Sequence, residues 1–330
     1  MNEKFRIPKW DNLKFFLILC VVTGHFIELY VDESWVYRAL FAFIYTFHMP
    51  AFLFIAGLFS KRTVDTKNVK KIMPYITLYF SVKILLFAVR ACCTGETGAS
   101  FLSDAGLPWF MLSLFFMYVI TMYTKLFKPM WVLICSVTLS VFAGYAIQKG
   151  GDFLAVLRTI NFYPFFYLGY IIKPDELVKK LDRPAVKIVS AGFIAVFAAV
   201  CFVFSDEVYG FRSLLTGRNP YGSYSGLIRL ALFAVSTAEI FALISLTPSK
   251  RSVFTTLGSR TLAVYCTHYC FIYILFDLFD LKGALASALP SAWHFALIAV
   301  GVLVTFICSN KWFDKGVSFL MNYKIKLKKE

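Results

Sequence analysis

Blocks of about twenty apolar residues, each long enough to span a bilayer as a helix, recur along the chain and restrict its fold more than any other feature. Of the 330 residues, 59% are hydrophobic and only 16% are charged, whereas a soluble chain is usually about 25% charged. A transmembrane β-barrel is disfavoured because its strands alternate over only ~10 residues. The sequence therefore predicts an all-α polytopic membrane protein.

The blocks predict about ten transmembrane helices packed into one bundle, so that residues 1–330 form a single domain. Their bounds are roughly 11–31, 36–60, 72–92, 107–125, 130–148, 155–173, 185–205, 226–247, 257–278 and 293–313. The longest connection on the predicted outer side runs from Ser205 to Gly226. A connection of this length is either functional or an ordinary connector.

The charged residues between the blocks fall into two alternating sets, one mainly basic and one mainly acidic. By the positive-inside rule the basic connections are cytoplasmic, which places both termini inside. This rule also accounts for the net charge of +15, so we predict no nucleic-acid partner. The basic set includes Lys4, Arg6, Lys9, Lys61, Arg62, Lys125, Lys128, Lys173, Lys250, Lys324, Lys326, Lys328 and Lys329. The acidic set includes Asp32, Glu33, Asp104, Asp152, Asp206 and Asp277.

Three of the four histidines fall at a similar depth in the predicted membrane. At 1.5 Å per residue, His25 lies roughly 20 Å from the cytoplasmic end of its helix, His48 roughly 18 Å and His268 roughly 17 Å. Glu28 follows His25 at i+3, where its carboxylate can orient the imidazole. A lone histidine is commonly a packed bundle residue, but three at one depth favour a functional site.

Two further ionisable residues, Lys83 and Glu239, come out near the same depth. Such groups are costly in a bilayer and normally face the bundle interior. A metal site has little support, because no two histidines stand at i, i+4 and the eight cysteines show neither zinc nor disulfide spacing. We therefore predict no metal.

Five segments resemble the membrane acyltransferase family 3, and they occur in that family's order. The first has an acid, a basic residue and a Gly-His pair, in WDNLKFFLILCVVTGHF. The second has a His-Met-Pro step, then a glycine before basic residues, in FAFIYTFHMPAFLFIAGLFSKR. The others are LPWFMLSLFF, RTINFYPFFYLGYIIKP and LGSRTLAVYCTHYCFIYIL. The resemblance points to the subgroup that contains fucose 4-O-acetylase-like proteins.

The resemblance implies a multi-pass O-acyltransferase of the bacterial plasma membrane. Such an enzyme would move an acyl group, usually acetyl, from cytoplasmic acetyl-CoA to a hydroxyl. The acceptor would be a cell-surface glycan or a lipid-linked sugar precursor, and membrane lipid would surround the protein.

The resemblance also implies roles for individual residues. His25 takes the catalytic role, accompanied by the charged pair Asp11 and Lys14, and Glu28 joins them as the predicted orienting group. The candidates for donor binding are Lys61, Arg62, His48, Arg158 and His268. Many family members have arginine where this chain has lysine at 14 and 61, and lysine keeps the charge but lacks the bidentate fork for phosphate.

The chemistry leaves two routes and two other functional classes open. A neutral imidazole can take the proton of an attacking hydroxyl, or it can carry the acyl group as a covalent intermediate. We favour the general base, because one histidine suffices for it. The alternative function is a transporter or flippase with a midplane His, Lys and Glu pathway, and the third is a non-catalytic sensor bundle.

Overall fold

The computed structural model describes residues 7–98, 100–103, 106–147, 152–218 and 221–322. Within these ranges the secondary structure is helical, apart from an isolated β-bridge between Ser103 and Phe153. The predicted loop charges Lys4, Arg6, Asp104, Lys324, Lys326, Lys328 and Lys329 lie outside the described residues. The helices are α1 (Pro8–Glu28), α2 (Trp35–Leu58), α3 (Lys61–Asp65), α4 (Met73–Thr94), α5 (Trp109–Thr124), α6 (Pro129–Ala146), α7 (Val156–Ile171), α8 (Pro174–Leu181), α9 (Pro184–Val203), α10 (Ser205–Tyr209), α11 (Arg212–Leu215), α12 (Ser225–Leu246), α13 (Val253–Gly258), α14 (Thr261–Ile272), α15 (Leu281–Ala288), α16 (Trp293–Cys308) and α17 (Lys311–Asn322).

Every one of the ten predicted segments is helical, which confirms the all-α membrane architecture. Seven helices in the described part of the chain are long and apolar enough to cross a membrane, and an eighth is added if α16 and α17, bent by 60°, form one broken span. The apolar helix α5 has only 16 residues. Helix α7 also has 16 residues, and it buries Arg158 and Asn161. Length and composition therefore support at most eight of the ten predicted spans. The other two are α5 and α7, because both are short and α7 carries buried polar residues.

Helices α2 and α7 pack backbone against backbone. A Cβ added to Gly57 would lie 1.9 Å from the carbonyl oxygen of Phe166, and one added to Gly169 would lie 2.1 Å from that of Phe54. Only glycine permits this approach, as small residues do at membrane helix crossings. The two helices run parallel to each other through this crossing. The first turn of α7 therefore lies level with the middle of α2.

The predicted basic and acidic connections form contacts at opposite ends of the bundle. At one end, which we call the basic end, Trp10 at the start of α1 meets Phe59 just after α2, with ring centroids 5.6 Å apart. At the other, the outer end, Arg38 of α2 bonds to Asp206 at 2.5 Å, and Lys282 of α15 bonds to Glu33.

A buried lysine ties three elements together at the basic end. Lys9 Nζ donates to Asp182 Oδ1 at 2.9 Å and to the carbonyl oxygen of Thr247 at 2.8 Å. Burial acts to raise the pKa of Asp182, but hydrogen bonds from Lys9 and Lys187 outweigh it and hold the pKa below its ordinary value. The start of α1 is thereby fixed to the α8–α9 turn and to the end of α12.

The long outer connection is ordered over its described residues. It forms α10 and α11, and the buried Arg229 of α12 holds it in place. The Nη1 of Arg229 donates to the carbonyl oxygen of Leu214 at 2.7 Å, and its Nη2 donates to that of Asn161 at 2.6 Å. Asn161 Nδ2 donates in turn to the carbonyl oxygen of Gly217 at 3.2 Å. These bonds lay the end of the connection against α7, which favours the functional interpretation of this loop.

Candidate active site

A cavity of about 80 Å³ lies between α1, α2, α5, α7 and α14, toward the outer end of the bundle. The side chains that line it and that bear chemistry include His25, Glu28, Tyr45, His48, Arg158 and Tyr269. Four of the predicted site residues, namely His25, Glu28, His48 and Arg158, thus meet at one cavity. A cavity with a few convergent polar groups is typical of small-molecule sites.

His25 is held by one carboxylate, which is itself held by a tyrosine. His25 Nδ1 lies 3.0 Å from Glu28 Oε2, and the hydroxyl of Tyr45 donates to the same oxygen at 2.7 Å. A carboxylate only accepts, so Nδ1 carries the hydrogen and Nε2 is left with a free lone pair. The predicted orienting role of Glu28 matches this geometry.

The Gly-His pair has a steric explanation. A Cβ added to Gly24 would lie 3.1 Å from Cε2 of Tyr45, closer than side chains ordinarily pack. Glycine at this position therefore lets the Tyr45 ring approach α1 closely enough for its hydroxyl to reach Glu28.

The other two predicted histidines lie beside this group. The ring of His268 stacks on that of His25 with centroids 5.5 Å apart, and the ring of His48 lies 4.6 Å from that of Tyr45. Each donates its Nδ1 hydrogen to the carbonyl four residues earlier, at 2.7 Å for His48 and 2.8 Å for His268. Both therefore present Nε2 as an acceptor, and that of His268 has no hydrogen-bond partner among the described residues.

The three histidines share a level, as predicted, and His25 lies near the outer end of α1, whereas His48 and His268 lie near the middles of α2 and α14. His25 lies in the last turn of α1, about 26 Å from Pro8 at 1.5 Å per residue. The prediction placed the end of this helix three residues too late and its start three residues too late, which shifted His25 inward.

Arg158 enters the cavity from the first turn of α7. It is 6% exposed, and its guanidinium lies over the ring of Trp109 at 4.8 Å. Its Nε has no hydrogen-bond partner among the described residues. A second arginine, Arg218, lines the same cavity and is bonded to Asp152 at 2.9 and 2.6 Å.

The remaining predicted site residues lie at the basic end, away from His25. Asp11 Oδ1 and Lys14 Nζ are 2.8 Å apart, and Asp11 is about 21 Å from His25 along α1. Lys61 and Arg62 are exposed in the first turn of α3. The predicted donor-binding set is therefore split, with Lys61 and Arg62 at one end of the bundle and the other members at the outer cavity.

The two other ionisable residues at the predicted depth do not line the cavity. Lys83 Nζ donates to the carbonyl oxygens of Ser100, Phe101 and Ser103, which fold back onto α4. Glu239 is fully buried between α12 and α2, where Thr46 donates to its Oε1 at 3.0 Å. Within the described residues, no three His, Cys, Asp or Glu side chains gather into a metal site.

Sequence reasoning missed several side chains of the cavity. Tyr45, Trp109, Tyr269 and Arg218 all line it. Tyr45 stands three residues before His48, so the helical period that groups charged residues would have found it. Arg218 had no such signal, because the path of the outer connection decides where it lies.

A family model described as an acyltransferase domain matches residues 7–310. The chain belongs to this acyltransferase family. It is 24% identical over 285 residues to nodulation protein NolL of Sinorhizobium fredii, covering 78% of this chain and 75% of the relative. It is 22% identical over 296 residues to nodulation protein NolL of Mesorhizobium japonicum, covering 82% and 77%. No solved structure matches the chain.

Family membership confirms the resemblance drawn from the five segments, all of which lie within the matched range. The protein is a membrane-embedded acyltransferase. This favours an enzyme over the transporter and the sensor bundle. Acyl transfer is therefore the reaction to consider at the cavity that His25 lines.

Proposed function

We propose that this acyltransferase moves an acetyl group from acetyl-CoA to a hydroxyl of a cell-surface glycan or a lipid-linked sugar, with His25 as general base. The observation that carries the proposal is the Nδ1 contact of His25 with Glu28 at 3.0 Å, which leaves Nε2 as a lone pair at a cavity wall. The same order of acid, imidazole and hydroxyl activates nucleophiles in unrelated acyl-transfer enzymes.

The proton and the acyl group move as follows. His25 Nε2 takes the proton of the acceptor hydroxyl, and the oxygen attacks the carbonyl carbon of the thioester. The C–S bond breaks with its electron pair on sulfur, and the imidazolium returns the proton to the thiolate. The products are an ester and free CoA thiol. Glu28 balances the imidazolium during the step, as a hydrogen-bonded carboxylate does for a catalytic histidine.

The geometry supports direct transfer over a covalent acyl-histidine, because the orienting carboxylate suits a base that gains and loses a proton. It also fits a separation of the two substrates. The exposed cations Lys61 and Arg62 lie at the basic end, where a cytoplasmic donor with phosphate groups would arrive. The cavity faces the opposite end, where a surface glycan would enter. We therefore propose the bacterial plasma membrane as the location of this enzyme.

Release of thiol from acetyl-CoA by the purified protein, supplied with a lipid and glycan extract of the host, tests the proposal. We expect His25→Ala to lower the rate by at least about a hundredfold, the usual contribution of a general base. The matched control is His294→Ala, since His294 lies at the start of α16 and does not line the cavity. Wild-type rates in His25→Ala would overturn the proposal.

A further inference from the structure

One arginine in the cavity has hydrogen-bond donors that meet no acceptor in the part of the chain that the structure describes. Arg158 is only 6% exposed, and its Nε has no hydrogen-bond partner among the described residues. Its one close contact of note is the face of Trp109 at 4.8 Å. A buried charged group without hydrogen bonds is costly, and such a group in a native structure requires an explanation.

The carboxylates near this arginine are bonded elsewhere. Glu28 Oε2 accepts from Tyr45 and contacts His25. Asp152 accepts two hydrogen bonds from Arg218. Neither acid forms a hydrogen bond with Arg158 in the part of the chain that the structure describes, so its guanidinium is open to a ligand in the cavity.

Arg158 and His25 line the same cavity through different hydrogen-bond and ring contacts. The contacts of His25 are with Glu28, Tyr45, His268 and Tyr269, whereas Arg158 lies against Trp109. The two share no hydrogen-bond or ring partner among the described residues, although both line the same space and the charge of Glu28 also acts on Arg158. A ligand in this cavity can therefore touch His25 with one group and Arg158 with another.

The position of Arg158 in the bundle points to the acceptor rather than to the donor. Arg158 is in the first turn of α7 at the outer end, beside Thr216 and Arg218 of the outer connection. The phosphate groups of a cytoplasmic donor would meet the cations of the basic end instead. An arginine fork is suited to planar carboxylate and to phosphate oxygens.

We propose that Arg158 binds an anionic group of the acceptor, a phosphate or a carboxylate, while His25 deprotonates an acceptor hydroxyl. The proposal rests on the function proposed above and narrows its substrate to anionic sugars. Trp109 holds the guanidinium plane in place, and Arg218, fixed by Asp152, adds positive charge at the cavity wall.

Binding of three sugars to the full-length protein in nanodiscs tests this, at constant ionic strength and without acetyl-CoA. The probes are glucose, glucose 1-phosphate and glucuronate. We expect at least one anionic sugar to bind about tenfold or more tightly than glucose, as charge-assisted hydrogen bonds allow. The probe that binds best distinguishes phosphate from carboxylate. Equal affinity for all three would overturn the proposal without any variant.

Variants then assign the preference to Arg158. Arg158→Gln should remove the preference for the anion, and Arg158→Lys should restore part of it, because lysine keeps the charge but not the fork. The matched control Arg90→Gln changes an exposed arginine that is bonded to Glu96 outside the cavity, and it should keep the full preference. The unliganded melting temperature of each variant shows whether it is folded.

An unchanged anion preference in folded Arg158→Gln would contradict the proposal. If kcat of that variant also falls, Arg158 acts on the transition state instead. A failure of the proposed function looks different, since His25-dependent thiol release would be missing while Arg158-dependent anion binding persisted.

Discussion

At the scale of single residues, the orientation of His25 depends on a carboxylate shared by two donors. Tyr45 and His25 both reach Glu28 Oε2, at 2.7 and 3.0 Å. The tyrosine hydroxyl limits the rotamers of the carboxylate, and the carboxylate in turn fixes the imidazole ring. Loss of the Tyr45 hydroxyl or of the Glu28 carboxylate should therefore disturb the orientation of His25.

Tyr45→Phe tests this arrangement. The variant removes the hydroxyl and keeps the ring, so we expect kcat to fall about tenfold, less than the roughly hundredfold cost of a 1 Å misplacement, because the contact of Glu28 with His25 remains. Steady-state acetyl transfer measures it. The control is Tyr170→Phe, which breaks a similar tyrosine–carboxylate bond, to Asp65 at 3.1 Å, far from the cavity. Equal effects in the two variants would show that Tyr45 acts only through stability.

Gly24→Ala tests why a glycine precedes the histidine. The new Cβ would lie 3.1 Å from the Tyr45 ring, and the ring must move by a few tenths of an ångström. We expect activity to fall several-fold while the melting temperature stays near that of the wild type, because alanine favours helix by roughly 0.5–1 kcal/mol. Gly192→Ala, on α9 with nothing within 4 Å of the added Cβ, is the control. Unchanged activity in Gly24→Ala would contradict the steric explanation.

The residues of the site could be predicted from the sequence only in part. His25 and Glu28 stand on one helix, so the helical period was enough to pair them. For His25 and His268 the sequence predicted a common depth but not their contact. Spacing within one helix carries no information on which helices are neighbours. Lys61 and Arg62 were grouped with Arg158 through the family resemblance, and the structure places them at the opposite end of the bundle.

At the scale of the elements, the crossing of α2 and α7 determines where Arg158 lies relative to His48. Gly57 and Gly169 face backbone carbonyls of the partner helix at distances that exclude any side chain. A side chain here would push the helices apart, so that the first turn of α7 would no longer lie level with the middle of α2.

Gly169→Ala should destabilise the bundle. Its Cβ would meet the carbonyl oxygen of Phe54 at 2.1 Å, and overpacking of this kind typically costs about 1–3 kcal/mol. Thermal unfolding in detergent measures the loss, again with Gly192→Ala as the control that adds the same methyl group to an open helix face. Equal melting temperatures for the two variants would show that α2 and α7 can move apart at the crossing without loss of stability.

The main helices were predictable because apolar length is a strong signal, and all ten segments are helical. The short helices α3, α8, α10, α11, α13 and α15 were not predicted, because helices of four to eight residues lack a repeated period. The 60° bend between α16 and α17 was also missed. In these places contacts with the bundle, such as those of Arg229, decide the conformation.

At the scale of the whole molecule, the two sets of charged site residues lie at opposite ends. Lys61 and Arg62 are at the basic end with the predicted cytoplasmic connections, and the cavity with His25 is at the outer end. This arrangement suits an enzyme that takes its donor from one side of the membrane and its acceptor from the other.

Neutralising Lys61 and Arg62 together should weaken donor binding. We expect Lys61→Gln with Arg62→Gln to raise the KM for acetyl-CoA several-fold with little change in kcat, because uniform binding affects KM alone. The double variant Lys179→Gln with Lys180→Gln removes equal charge from exposed positions of α8 at the same end and serves as the control. A KM unchanged relative to that control would exclude Lys61 and Arg62 as donor-binding residues.

The central claim is that His25 activates an acceptor hydroxyl for acyl transfer. Mass spectrometry of surface glycans, from cells expressing wild type or His25→Ala at matched membrane levels, tests it most directly. We predict that an ester-linked acyl group, with the mass of acetyl, disappears in the variant. Full acylation of the same glycan by His25→Ala would contradict the account.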